Sequence, residues 1–253
     1  MNLTGNTILI TGGGTGIGRG FAQAFHALGN RVIIAGRRPE PLEAAAAANA
    51  GMVWMTLDIE DAESIRAFAS RLTAEHPSLN VLMNNAGIMR REKLPAQPED
   101  LADAEAIVAT NLLGPIRLTA ALLPSLMKRE YSAIVNVSSG LAFVPLAMTP
   151  TYCATKAALH SYTQSLRYQL KGTSTEVLEL IPPYVQTELL DGANDPRAMP
   201  LPAFIDEVMG ILNSNPAVTE ICVENAKRLR FAAEGGHYDA VFTGFNDAMS
   251  GGH

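Results

Sequence analysis

Short apolar runs alternate along this chain with longer segments of helical period. "TILIT" (Thr7–Thr11) and "RVIIAG" (Arg31–Gly36) read as strands, as do residues 51–58, 80–87, 132–139, 175–183 and 218–224. Each run is near-continuously apolar rather than alternating, as in strands covered on both faces. Between them lie helical patterns. One covers residues 16–28, and an Ala-rich one is opened by Pro39 and Pro41. A third sets Ala62, Ile65, Phe68, Ala69 and Leu72 at helical spacing, and others fall around 98–110, 112–129 and 151–171. Strand, helix, strand, repeated, predicts parallel strands joined by right-handed crossovers. The expected architecture is one α/β domain over residues 1–253, with a doubly wound, mostly parallel seven-stranded sheet and helices on both faces. Residues 186–202, "QTELLDGANDPRAMPLP", read as a long loop beside that sheet.

The first strand and first helix are joined by "TGGGTGIG", residues 11–18. Ligands of open α/β sheets bind at the carboxyl ends of the strands. Glycines there let the backbone approach a pyrophosphate, and a helix N-terminus offers free N–H groups with a favourable dipole. Gly12, Gly14, Thr15, Gly16, Ile17 and Gly18 are therefore candidate dinucleotide-binding residues. The second strand ends in "AGRR". Dinucleotide folds often place an acid here for the adenosine 2′-hydroxyl. Arg37 and Arg38 stand there instead, and arginine suits a 2′-phosphate.

Tyr152 and Lys156 lie four residues apart, on one helix face. A free phenol has a pKa of about 10 and is a poor acid–base group at neutral pH. A neighbouring ammonium favours the phenolate. Alone, the pair is also common on solvated helix faces, so its weight depends on its company.

That company is T-G-x-x-x-G-x-G at residues 11–18, "NNAG" at 84–87 and Y-x-x-x-K at 152–156. Together these resemble the classical short-chain dehydrogenase/reductase family, from Thr7 to about Thr187. The resemblance implies a Rossmann-type fold and an oxidoreductase that moves hydride between a nicotinamide and a carbonyl or secondary alcohol. Tyr152 would be the acid/base, and Lys156 would tune it and hold the nicotinamide ribose. Ser139, thirteen residues before the tyrosine, would orient the substrate oxygen, and Asn111 would support the proton relay. Asp58 and Ile59 would line the adenine pocket, and Asn85, Ala86 and Gly87 would pass under the adenosine ribose. Pro182, Val185 and Thr187 would meet the carboxamide, although "PPYVQT" puts Pro183 where the family has glycine. The arginines point to NADP(H) over NAD(H). The apolar residues Leu141, Phe143, Val144, Met148, Tyr184 and Leu189, with residues 186–202 as a substrate loop, would line the substrate pocket. Arg90 and Arg91 would stand near its rim or on the solvated surface. A homodimer or homotetramer is implied, built on helices carrying Leu113, Ile116, Leu123 and Leu126, and Leu159, Tyr162 and Leu166. The alternative is a dinucleotide-binding sensor without turnover, which would not need Asn111, Ser139, Tyr152 and Lys156 together. An epimerase or dehydratase is a third reading, usually in longer chains.

Composition narrows this picture without redirecting it. With 253 residues, 47% of them hydrophobic and 17% charged, the chain can fill a large core. A net charge of −6 argues against nucleic acid as a partner. The two cysteines, Cys153 and Cys222, have no metal-ligand spacing and suit a reducing cytoplasm. Neither a signal peptide nor a membrane-spanning stretch is expected.

Overall fold

The computed structural model describes residues 1–96 and 101–250. Its strands are β1 (Thr7–Thr11), β2 (Arg31–Gly36), β3 (Val53–Thr56), β4 (Val81–Asn84), β5 (Ser132–Val137), β6 (Thr175–Ile181) and β7 (Glu220–Cys222). They form one sheet in the order β3-β2-β1-β4-β5-β6-β7, parallel throughout. The sequence places every strand but overextends those at 51–58, 80–87, 132–139, 175–183 and 218–224. After β4, β5 and β6 the residues past the ladder, Asn85–Gly87, Ser138–Ser139 and Pro182–Pro183, line the cleft described below.

Residues alternate across the sheet with the two-residue period of a strand. Ile8 and Ile10 join one core with Phe21 and Phe25 of α1 (Gly16–Ala27) and Phe204, Val208 and Leu212 of α7 (Leu201–Ser214). Leu9 joins the opposite core with Ile65, Phe68 and Leu72 of α3 (Ala62–Glu75), Leu118 and Leu122 of α5 (Gly114–Leu126), and Leu166 of α6 (Pro150–Gln169). Strands sandwiched in this way require the continuous apolar runs seen in the sequence.

A helical run over residues 102–126 departs from expectation. It comprises α4 (Ala102–Val108), a π-helical turn (Ala109–Leu113) and α5. Pro98, in the predicted helix, lies outside the described residues. By length and composition this run could cross a membrane, contrary to the sequence reading. Its Ile107, Leu118, Leu122 and Leu126 are fully buried in the domain core, which accounts for the apolar composition. Elements beyond the sequence reading complete the fold among the described residues: α7, α8 (Glu224–Arg230), α9 (Tyr238–Ser250) and 3-10 helices at Gly140–Ala142 and Leu189–Asn194. Between them, α2 (Pro39–Ala47) follows β2. The strand order reverses between β1 and β4, and the carboxyl ends of these two strands open the cleft described next.

Candidate active site

The floor of the cleft is backbone. Gly12 and Gly16 have φ of 67° and 51°, in the left-handed region. A Cβ on Gly12 would sit 2.9 Å from Asn85 Nδ2, and one on Gly18 would sit 2.3 Å from the Gly12 carbonyl oxygen. At Gly12 and Gly18 the turn is folded too tightly for a side chain. Asn85 ties it to the loop after β4 by donating from Nδ2 to the Thr11 carbonyl at 2.9 Å. Thr11 Oγ1 accepts the N–H groups of Asn85 and Ala86, both at 3.0 Å. Thr15, the N-cap of α1, makes no side-chain cap, so the first-turn N–H groups keep no side-chain partner from it. Gly12, Thr15, Gly16 and Ile17 line the cleft. This is a cradle that a Cβ would fill at a helix N-terminus, and it fits a dinucleotide pyrophosphate. Gly14 and Gly18 do not line it. A Cβ on Gly14 would meet the Leu42 nitrogen of α2 at 3.2 Å, so that glycine serves helix packing.

The two arginines after β2 part company. Arg38 lines the cleft. Arg37 donates from its guanidinium to Glu60 Oε1 at 2.7 Å, and Thr110 Oγ1 donates to the same oxygen at 2.7 Å. Glu60 carries no motif, so its claim on Arg37 was not readable. Asp58 accepts the Glu60 N–H at 3.0 Å and does not line the cleft. Ile59 is buried against Gly114, where a Cβ would be 2.6 Å from its Cγ1.

At the other end of the cleft, four predicted side chains converge. Ser139 follows β5, and its Oγ accepts the Leu141 N–H at 3.1 Å. Tyr152 and Lys156 rise from the first half of α6 and are only 6% and 4% exposed. Glu92 fixes the start of this helix, accepting Thr151 N–H at 3.0 Å and Thr151 Oγ1–H at 2.6 Å. That carboxylate cap from a distant loop also complements the helix dipole, and its residue was missed in the sequence. Lys156 Nζ lies 5.5 Å from the Tyr152 ring centroid and donates to the Val137 carbonyl at 2.7 Å. Asn111 is fully buried in the π-helical turn, a feature frequent at functional sites. Its amide exchanges two bonds with the Ile88 backbone, each 2.9 Å. A Cβ on Gly87 would lie 3.4 Å from Asn111 Oδ1 and 3.8 Å from Lys156 Nζ, so the three meet.

Burial pushes the Tyr152 phenol above its usual range, and the Ser139 hydrogen bond pulls it back. Burial draws Lys156 down to about 8, opposed by the negative charge of Glu179. The expected depression of the phenol by Lys156 is therefore not the governing effect in this geometry. Desolvation is the largest influence on the phenol, while the ammonium is bonded to a carbonyl and lies beside the ring.

The cleft encloses about 810 Å³, within the range of small-molecule sites. Asn85, Ala86, Gly87, Ser139, Tyr152, Lys156, Pro182, Val185 and Thr187 all line it. Around Tyr152 the wall is apolar, with Ile88, Met89, Leu141, Leu146, Leu190, Phe245 and Met249. Among the expected substrate-pocket residues, Leu141, Tyr184 and Leu189 line the cleft. Phe143 packs instead on His160 and Arg230, Val144 is fully buried, and Met148 accepts from Arg91 at 3.3 Å. Arg90 lines the cleft and pairs with Asp103.

Residues 186–202 are not a free loop. Gln186 N–H donates to Met199 O and Met199 N–H to Tyr184 O, each at 2.8 Å, closing the base of the excursion. Leu190 within it has a φ of 50°, unusual for a side-chain-bearing residue. Asp195 accepts from Tyr184 at 3.2 Å and from Arg197 at 2.7 Å. The arginine holds its carboxyl well below the usual range.

The missed part of the wall comes from the C-terminal helices. Asn225, Arg228 and Leu229 of α8 and Phe245 and Met249 of α9 all line the cleft. Asn246 pins α9, donating to Pro145 O at 3.1 Å and accepting the Ala147 N–H at 2.7 Å. The available signal was Val241, Phe245 and Met249 at four-residue spacing.

A family model described as short chain dehydrogenase matches residues 6–198. The chain belongs to that family. As a member of it, this protein is an oxidoreductase with a nicotinamide-nucleotide site. It is 39% identical over 249 residues to the "Uncharacterized oxidoreductase DltE" of Bacillus subtilis, covering 97% of this chain and 98% of the relative. It is 34% identical over 185 residues to "Sulfoacetaldehyde reductase 2" of Chromohalobacter salexigens, covering 72% and 73% of the two chains. A short-chain dehydrogenase from Sphingobium yanoikuyae in complex with NADPH superposes with a TM-score of 0.79 at 25% identity, covering 94% and 95%.

Proposed function

We propose that this family member is an NADP(H)-dependent carbonyl reductase or alcohol dehydrogenase for uncharged, rather apolar substrates. The observation that carries the reading is the meeting of Asn111, Ser139, Tyr152 and Lys156 at one end of a cleft floored by Gly12 and Gly16. When bound, the nicotinamide supplies or accepts the hydride at the substrate carbon. The backbone of Gly12, Thr15, Gly16 and Ile17 at the N-terminus of α1 would hold the phosphates, and Arg38 would supply a cation for a 2′-phosphate. Ser139 and Tyr152 hold the substrate oxygen between them. Tyr152 gives its phenolic proton to that oxygen in reduction and takes it back in oxidation. Lys156 would hold the nicotinamide ribose and return a proton to Tyr152. Asn111, fixed by Ile88, supports the path behind the lysine. Val185 and Thr187, which line the cleft, would hold the carboxamide. The apolar wall around Tyr152 disfavours a carboxylate with no partner there; of the arginines that also line the cleft, Arg90 is paired with Asp103 and Arg197 with Asp195, and Arg228 lies on α8.

A sensor without turnover would need the glycine floor but not this tetrad, which is why the enzymatic reading is preferred. The proposed homodimer or homotetramer draws support from the outer faces of the π-helical turn, α5 and α6, where Leu113 is 37% exposed and Ile116, Leu123 and Tyr162 are partly exposed. Leu126, Leu159 and Leu166, grouped with them in the sequence, are buried inside the subunit and drop out of that face. Two free thiols are consistent with a cytoplasmic location.

The deciding experiment is a panel of ketones, aldehydes and keto acids followed by NADPH absorbance. The reading expects turnover with apolar carbonyls and NADPH favoured over NADH. Keto acids as best substrates by kcat/KM would overturn the substrate class, and cofactor binding with no turnover on any carbonyl would favour the sensor.

A further inference from the structure

The face of α6 that carries Lys156 continues with His160 and Thr163, one and two turns on. Against it, β5 and β6 present polar side chains where a covered parallel sheet usually has apolar ones. Asn136 Nδ2 donates to Thr163 Oγ1 at 2.9 Å. Glu179, the register partner of Asn136, lies 2.7 Å from His160 Nδ1 through its Oε2. Glu179 is fully buried, and its Oε1 is buried with no hydrogen-bond partner. Such a carboxylate is costly in a core unless a charge nearby compensates it.

The groups near it come from several elements. Lys156 and His160 belong to α6, Glu220 to β7 and Arg230 to α8. Arg230 is committed to Glu220 at 2.7 Å and to Glu234 at 2.7 Å. Glu220 adds a second negative charge, so it cannot compensate Glu179. His160 holds one oxygen, with its Nε2 3.1 Å from Gln164 and its ring against Phe143 at 4.7 Å. Lys156 is the buried cation, and its Nζ grips Val137 O, one residue beyond the register partner of Glu179. Glu179 favours the charged form of that ammonium.

We propose that Glu179, bonded to His160 one helical turn from Lys156, is a positioning residue that keeps Lys156 charged from outside the cleft. The proposal rests on the reading of Lys156 as part of the active site, but its test does not require turnover. The chain has five lysines, Lys93, Lys128, Lys156, Lys171 and Lys227, so protein with lysine labelled by carbon-13 at Cε gives a small set of NMR signals. Lys156→Met identifies its signal by loss. Titration of the wild type is expected to show Lys156 changing with a midpoint near the value of about 8 that burial gives it. Glu179→Gln keeps the shape and the bond to His160 but removes the charge. The midpoint should then move down by half a pH unit or more, a threefold or greater change in the ionisation constant. Glu179→Leu, an apolar packed replacement, should move it the same way and serves if the glutamine variant does not fold. With NADPH and the best ketone of the panel, the alkaline limb of kcat/KM should move down in parallel. An unmoved Lys156 midpoint in both variants overturns the proposal. Absence of turnover in a wild type whose Lys156 midpoint responds to Glu179 would instead count against the proposed function alone.

Discussion

The two ends of the cleft are built by different means. The cofactor end is backbone, consisting of a glycine turn with φ of 67° and 51°, tied by Asn85 to Thr11. The substrate end is made of side chains from distant elements, including Leu141 after β5, Leu190 in the excursion after β6, and Phe245 and Met249 on α9. A backbone cradle is recorded in consecutive residues, because only glycine fits where a Cβ would lie 2.3 Å from a carbonyl oxygen. A side-chain wall is recorded only in the tertiary packing that brings α9 over Tyr152. Tyr152 belongs to both ends, and removing its hydroxyl tests whether the division is functional. Tyr152→Phe should lower kcat by about 10²- to 10⁴-fold, the usual worth of a general acid–base group, while the Kd of NADPH stays within a few-fold. Fluorescence titration and steady-state rates separate the two. Near-normal turnover would remove Tyr152 as the acid/base.

The next test breaks the cofactor end alone. In Gly18→Ala the new methyl group meets Gly12 O at 2.3 Å and Asn85 Nδ2 at 2.5 Å. Backbone must shift, at a typical cost of about 1–3 kcal/mol. NADPH affinity should fall at least tenfold with a lower Tm, and the α9 wall should be untouched. An unchanged Kd would mean that the turn is looser than its contacts imply.

The complementary test breaks the substrate end alone. Phe245→Ala and Met249→Ala remove apolar wall on α9 but leave Asn246 to hold the helix. Discrimination between ketones that differ by one methylene is worth about 1–3 kcal/mol in an apolar pocket. The variants should therefore raise KM for the preferred small ketone about tenfold and relatively favour bulkier ones, with NADPH binding unchanged. Loss of NADPH affinity instead would show that the two ends are not separable.

What was legible follows the same division. The seven strands were legible because burial on both faces demands apolar runs, and the turn and the tyrosine–lysine pair were legible because their spacing is their geometry. Glu92, Glu60 and Glu179 were not. Each acts across a long sequence separation, on Thr151, Arg37 and His160 respectively, and a lone glutamate carries no periodicity. The strand ends were overread because the chain continues past the last ladder bond into the walls of the cleft, as Ser138 and Ser139 do after β5 and Pro182 does after Ile181. Helices α8 and α9 are short or half-exposed, and their apolar positions serve the cleft more than the core.

The smallest expected effect lies within the legible end, at "AGRR". The pair reads as two arginines for one 2′-phosphate, yet Arg37 is bound to Glu60 at 2.7 Å, and Glu60 is also held by Thr110 at 2.7 Å. To reach a phosphate, Arg37 would have to give up that carboxylate, so its net gain is small. Arg38 lines the cleft, so on the proposed reading a preference for NADP(H) would rest on it. A charge-assisted hydrogen bond is worth about 1.5–3 kcal/mol, so Arg38→Ala should weaken NADPH about tenfold or more and leave NADH almost unchanged. Arg37→Ala should weaken NADPH by only a few-fold. Because it frees Glu60, a negative charge near the adenosine end, it should narrow the preference over NADH slightly. Kd values for both nucleotides in the three proteins decide this. A larger loss in Arg37→Ala than in Arg38→Ala would mean that Glu60 orients Arg37 toward the phosphate rather than withholding it, and the double variant Arg37→Ala with Glu60→Gln would then lose no more than Arg37→Ala alone.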